Sequence, residues 1–181
     1  MPVDNVPKRS GAVIFKGQPA DLLGPELHAG DPAPQFTLTA GDLSRVDLDM
    51  LLDGGKRAAL LIVVPSLDTS VCNIESHKFN ARIGELPPDV TAAVVSMDLP
   101  FAQARWCGAQ DAPVRLQMLS DYRDHSFGLN YGLLLEEAGF HARAIVVIGK
   151  DCTIRYVQLV PNVSSEPDYD AALKAAAAAS G

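Results

Sequence analysis

Cys72 ends the stretch Pro65-Ser66-Leu67-Asp68-Thr69-Ser70-Val71-Cys72, a polar loop between an apolar run and a segment with helical spacing. A thiol in the first turn of a helix meets free N–H groups and the positive end of the helix dipole, and both favour thiolate, the nucleophilic form of cysteine. The helix alone is insufficient. Bringing a thiol from an ordinary pKa of about 8.5 to about 6 takes ~3.4 kcal/mol, whereas a helix end supplies at most ~2 kcal/mol. An arginine or strong hydrogen-bond donors must add the rest, and donors aimed at the transition state must supply most of any rate enhancement. The competing account is an inert core cysteine, since cysteine is among the most often buried residue types.

The elements that position this loop can be read from periodicity and breakers. Ala58 to Val64 is a seven-residue apolar run ending at Pro65, the pattern of a strand buried on both faces. From Cys72 to Leu86 the spacing predicts a helix with Ile74, Phe79 and Ile83 as apolar positions, stopped by Pro87-Pro88, and Val90 to Val95 supplies the next buried strand. Strand, helix and strand in that order form a right-handed crossover, which places Cys72 at a strand's C-terminal end, where open α/β sheets put their chemistry. Gly11 to Phe15 and Ala20 to Leu23 flank Lys-Gly-Gln-Pro as an N-terminal β-hairpin, and Phe36-Thr37-Leu38 starts an extended piece. Phe101 to Cys107 reads as a short helix and Leu116 to Leu119 as a short strand, followed by a polar segment from Ser120 to Asn130. Ala142 to Ile148 and Thr153 to Val160 form a second hairpin, and Asp168 to Ala179 a closing helix rich in alanine. The expected domain plan is a flexible N-terminal segment over 1–10 and one domain over 11–181.

Composition narrows the function classes. The 181 residues suit one domain, and the formal net charge of -7 opposes the basic footprint of nucleic-acid binders. The longest apolar run is far short of the roughly 20 residues a membrane-spanning helix needs, so no membrane partner is expected. The N-terminus lacks the apolar core of a secretory signal, which points to a cytoplasmic location. Cys72, Cys107 and Cys152 are too few and too oddly numbered for the disulfide framework of a secreted scaffold. His28, His77, His125 and His141 make no His-x₃-His pair, and no Cys-x-x-Cys occurs, so no metal is expected. Ser70, Ser76 and Ser126 lack a Gly-x-Ser-x-Gly setting, and no phosphate-cradling glycine loop is present.

The spacing Pro-x-x-x-Thr-x-x-Cys at Pro65, Thr69 and Cys72 resembles the peroxidatic loop of peroxiredoxins. Ser96-Met97-Asp98-Leu99-Pro100-Phe101-Ala102-Gln103 leading to Trp106-Cys107-Gly108-Ala109, and Glu166-Pro167-Asp168-Tyr169, are similar to the atypical two-cysteine thiol peroxidase subfamily. With Val13-Ile14-Phe15-Lys16-Gly17, the resemblance runs from about Gly11 to the C-terminus. It implies a thioredoxin-like α/β fold, a central mixed sheet flanked by helices with an added N-terminal hairpin. It also implies thioredoxin-dependent reduction of hydrogen peroxide and organic hydroperoxides without a cofactor.

Carried over residue by residue, the resemblance makes Cys72 the peroxidatic nucleophile and Cys107 the resolving cysteine of the same chain. Thr69 would offer its hydroxyl to the peroxide, Pro65 would shield the thiolate from water, and Arg143 would hold the thiolate and the peroxide oxygens. The alternative for Arg143 is a solvent charge on a strand edge, and for Trp106 a core aromatic. The Cys72 sulfenic acid would condense with Cys107 to a disulfide, opened by a thioredoxin-like dithiol. The two cysteines sit on different predicted helices, and a disulfide needs Cα atoms within about 7 Å, so local unwinding around both is expected. His77 stands where the family usually has an arginine, the segment between Leu135 and Arg143 is shorter than typical, and Cys152 matches no family cysteine and reads as structural. Asp121 to Gly128 resembles a segment near the family's dimer interface, which implies a homodimer, although charged stretches of this kind are usually solvated surface. The rival reading is a non-catalytic redox sensor that uses the same Cys72–Cys107 disulfide.

Overall fold

A strand with no polar residue on either face is stable only between two layers, and Ala58–Val63 (β5) is buried along its whole length. In the computed structural model, which describes residues 6–181, it is a central strand of a seven-stranded mixed sheet. Val90–Ser96 (β6) pairs with it in parallel from Ala58↔Val90 to Val63↔Val95, and Gln117–Ser120 (β7) continues in parallel beyond β6. On the other side Ala144–Ile148 (β9) and Ile154–Leu159 (β10) add antiparallel, as the expected second hairpin. Thr37–Thr39 (β3) and Arg45–Asp47 (β4) close the far edge. The expected mixed sheet flanked by helices is the observed architecture.

Alternation along β5 sorts the core into two halves. Ala58, Leu60, Ile62 and Val64 face one layer with Cys72, Phe79, Trp106 and Leu173. These come from Ser70–Arg82 (α2), Pro100–Gly108 (α3) and Tyr169–Ala178 (α5). Ala59, Leu61 and Val63 face Leu48, Leu51, Phe127 and Tyr131 on the opposite side, where Leu48–Leu51 (α1) and Ser126–Asn130 (α4) lie. Pro at the start of α3 fits a first turn whose N–H groups lack intrahelical partners. Asp168 caps α5 by accepting from Ala171 N at 3.0 Å.

The N-terminal hairpin comprises Lys8–Phe15 (β1) and Gln18–Leu23 (β2), so the first strand begins three residues before Gly11. Residues 1–5 of the expected N-terminal segment lie outside the described residues. Leu134–Leu135 (β8) adds to β2, giving a separate three-stranded sheet. Its anchor is a backbone crossing that admits only glycine: a Cβ on Gly24 would stand 2.0 Å from Leu129 O, and one on Gly132 1.8 Å from Pro25 O. Both have positive φ.

Two local expectations are corrected. Ile74, assigned to the apolar face of α2, is 43% exposed, whereas Cys72, Glu75, Ser76 and Phe79 form the buried stripe. The charged segment after Ser120 is not simply solvated, because Asp121 is buried and accepts from Phe127 N, Gly128 N and His141 Nε2. That carboxylate starts α4, which the polar composition concealed.

Phe127 is fully buried, stacked on Tyr131 at 4.4 Å and edge-on to Phe36. Phe127→Ala is expected to cost about 3–5 kcal/mol in urea unfolding; a loss below about 1 kcal/mol would contradict this packing account.

Candidate active site

Cys72 lies in the first turn of α2, fully buried at the C-terminal end of β5. Thr69 is the N-cap, but its side chain makes no capping bond to the helix. Its hydroxyl points at Cys72 Sγ, 2.8 Å away, and at Ser66 O, 3.1 Å away. A hydroxyl has one proton, so Thr69 can donate to either and still accept from a third group. Pro65 is buried beside it.

Arg143 immediately precedes β9, next to β5, and reaches the sulfur from the adjacent strand. Nη2 donates to Cys72 Sγ at 3.3 Å, Nε to Val163 O at 3.0 Å, and Nη1 to Glu75 Oε2. At 1% exposure the guanidinium is not a strand-edge charge facing solvent. Burial opposes its charge, yet Glu75 and Cys72 opposite it carry its pKa above the ordinary value. Hydrogen bonds involving an ion contribute about 1.5–3 kcal/mol each, and the Arg143 donor adds to the helix end as a group able to meet negative charge on the sulfur.

Glu75 is the site residue that sequence reasoning missed. It stands three residues after Cys72, hence on the same helical face, and that spacing was the available signal. Burial pushes its pKa from 4.5 to about 7, even with Arg143 pulling it down. Oε1 has no hydrogen-bond partner. Behind it, Lys78 pairs with Glu166 at 2.6 Å, and the Tyr169 hydroxyl donates to Glu166, tying α2 to the start of α5.

The loop before Cys72 is held by Asp98, which accepts from Ser66 Oγ at 2.7 Å, Leu67 N at 2.8 Å and Ser96 Oγ at 2.9 Å. Gln103 of α3 donates to Ser96 Oγ at 3.1 Å and Leu119 O at 3.0 Å. A hollow of about 350 Å³ opens at Thr69 and Arg143, walled by Pro65, Val71, Phe15 and Phe140. The last two rings meet edge-on at 5.5 Å. The N-terminal hairpin thus forms part of the pocket wall.

Cys107 lies near the end of α3, half-buried, and burial pushes its thiol pKa up. The structure does not bond it to Cys72; all three cysteines are free thiols. Two polar contacts link α3 to α2 and the loop before it. Trp106 Nε1 donates to Asn73 Oδ1 at 2.8 Å, and Arg105 pairs with Asp68 at 2.7 Å. Trp106 is 7% exposed, a core aromatic as well as Cys107's neighbour, and the ring of exposed His77 lies tilted against it at 5.5 Å. Cys152 is in the turn before β10, with φ 58°, against the opposite core half.

The raised pKa of Glu75 has a stability consequence with a definite sign. The folded state retains a proton that the unfolded chain loses near pH 4.5. Its contribution is therefore full below that pH and lost as pH rises through about 7. Relative to Glu75→Gln, the wild type is expected to lose unfolding free energy between pH 4.5 and 7 in urea titrations; parallel curves would contradict it.

The chain matches the Redoxin family model over residues 28–173. It is 48% identical over 166 residues to a thiol peroxidase of Streptococcus pneumoniae, covering 92% of this chain and 99% of that protein. It is 45% identical over 168 residues to a thiol peroxidase of Halalkalibacterium halodurans, covering 93% of this chain and 98% of the relative. Among solved structures, a peroxiredoxin-like protein from Aquifex aeolicus superposes with a TM-score of 0.82 at 37% identity, covering 93% of this chain and 95% of that one. A thiol peroxidase from Chromobacterium violaceum shares the fold with a TM-score of 0.78 at 20% identity, covering 90% of this chain and 93% of that one. On these likenesses the chain belongs to the Redoxin family, among its thiol peroxidases.

Proposed function

We propose that this chain reduces hydrogen peroxide and organic hydroperoxides with Cys72 as the peroxidatic nucleophile. The convergence of Thr69 Oγ1 and Arg143 Nη2 on Cys72 Sγ carries the reading. The thiolate attacks one peroxide oxygen in line with the O–O bond, giving sulfenic acid and water or alcohol. Arg143 and Thr69 donate to oxygen charge as it develops, the preorganised stabilisation that contributes most to many rate enhancements. Pro65 keeps water from the thiolate. Apolar walls at Phe15, Val71 and Phe140 favour the organic part of an alkyl hydroperoxide.

Cys107 then condenses with the sulfenic acid to an intramolecular disulfide, which a thioredoxin-like dithiol reopens by exchange. Both cysteines are in helices, so the ends of α2 and α3 unwind for the bond to form. The Asn73–Trp106 and Asp68–Arg105 contacts are those that unwinding breaks. The reading includes one functional domain over 11–181, a cytoplasmic location and a homodimer. No helix of the described residues is long and apolar enough to cross a membrane.

The test is NADPH oxidation through a thioredoxin and its reductase, with hydrogen peroxide and cumene hydroperoxide. Multiple turnovers by wild type that vanish in Cys72→Ser are expected; a single equivalent consumed would instead fit a redox sensor using the same disulfide. Amide hydrogen exchange at Ser70 to Asn73 and Arg105 to Gly108 is expected to be faster in the oxidised protein. Equal protection in both states would contradict the unwinding.

A further inference from the structure

Arg143 stands between two acids in one buried site. Its Nη2 donates to Cys72 Sγ and its Nη1 to Glu75 Oε2, and all three residues are almost wholly removed from water. One guanidinium carries one positive charge. When two acids share it out of water, negative charge on one disfavours negative charge on the other. Glu75 has the poorer setting for a negative charge. Its Oε1 has no donor, and an unmet carboxylate oxygen out of water is unfavourable.

The surroundings of Glu75 add no second counterion. Glu166 lies on the side of α5 and raises the Glu75 pKa further. Lys78, on α2 itself, is paired with Glu166, and Tyr169 donates its hydroxyl to the same carboxylate. Among the described residues Arg143 is the cation that pairs with Glu75. Burial has already moved the carboxyl to about 7, within reach of a charge that appears or disappears on the neighbouring sulfur.

We propose that Glu75 holds a proton while Cys72 is a thiolate and gives it up when Cys72 becomes a sulfenic acid. The proposal rests on the reading of Cys72 as the peroxidatic cysteine. The step balances: the thiolate, the peroxide ROOH and protonated Glu75 yield Cys72 sulfenic acid, ROH and ionised Glu75. An S–O bond forms and the O–O bond breaks; sulfur loses two electrons and the peroxide gains them. The leaving alkoxide takes a proton from solvent, and Glu75 returns one to solvent. One anion faces Arg143 before the step and one after it, so the site stays neutral throughout. In the thiolate state a neutral Glu75 leaves the arginine's charge to the sulfur and the bound peroxide. Glu75 does not touch the peroxide; it is a positioning residue acting through Arg143.

The test uses Cys107→Ser, which stops at the sulfenic acid, treated with one equivalent of hydrogen peroxide at pH 7 in weak buffer. Protons taken up are counted with an indicator, oxygen addition to Cys72 by mass spectrometry, and carboxyl protonation by infrared difference spectroscopy. The expected result is fewer than about half a proton per sulfenic acid, with loss of a protonated-carboxyl band. Adding Glu75→Gln to Cys107→Ser should raise uptake to about one proton and abolish that band change. About one proton taken up by Cys107→Ser itself, with no carboxyl band lost, would overturn the proposal. Should the double variant not fold, carbon-13 labelling of glutamate in Cys107→Ser assigns the band and decides the matter. Absence of oxygen on Cys72 would instead overturn the reading beneath the proposal, which mass spectrometry registers separately.

Discussion

A guanidinium taken out of water has to be met by anions and acceptors, and Arg143 finds them on two separate segments. Cys72 and Glu75 come from α2, and Val163 O from the loop after β10. Removing one partner from such a cluster typically costs 3–5 kcal/mol, because the remaining charge stays buried. The arrangement therefore fixes α2 against the C-terminal end of β5 and the start of β9 and holds the sulfur where two donors reach it. It also explains a polar stripe on a buried helix face: Glu75 lies among apolar neighbours because a buried arginine needs it.

Around this centre, the structure separates what must be rigid from what must open. Asp98 ties the loop bearing Pro65 and Thr69 to the end of β6 through three accepted hydrogen bonds, all from short side chains or backbone. By contrast, the polar contacts of α3 with α2 and the loop before it are one half-buried hydrogen bond, Trp106 to Asn73, and one exposed ion pair, Arg105 to Asp68. Exposed ion pairs contribute roughly 0–1 kcal/mol, so this second connection opens readily. In the proposed cycle the loop keeps its geometry while the helix ends yield, so that Cys72 attacks from a built pocket and then leaves it.

Much of this was legible in the residues. The unbroken apolar run at Ala58 announced a two-faced strand, and proline, threonine and cysteine at their spacing marked the loop. The structure brings Thr69, Cys72, Arg143 and Pro65 together around one pocket and leaves Cys107 on the neighbouring helix. Short elements such as β4, α1 and β8 have two to four residues each, too few for a period to appear. Ile74 was assigned inward on its hydrophobicity, whereas the face of α2 is set by partners distant in sequence, Arg143 above all. Asp121 and Glu75 were missed for the same reason: a buried carboxylate is specified by what it bonds, and a linear reading of polarity assigns it to solvent.

The most direct test of the account is peptide mapping of the reduced full-length protein after one equivalent of hydrogen peroxide, under conditions that block thiol exchange. The account predicts a single Cys72–Cys107 disulfide within one chain and a free Cys152. A disulfide that includes Cys152, or oxidation that leaves both Cys72 and Cys107 as thiols, would contradict it.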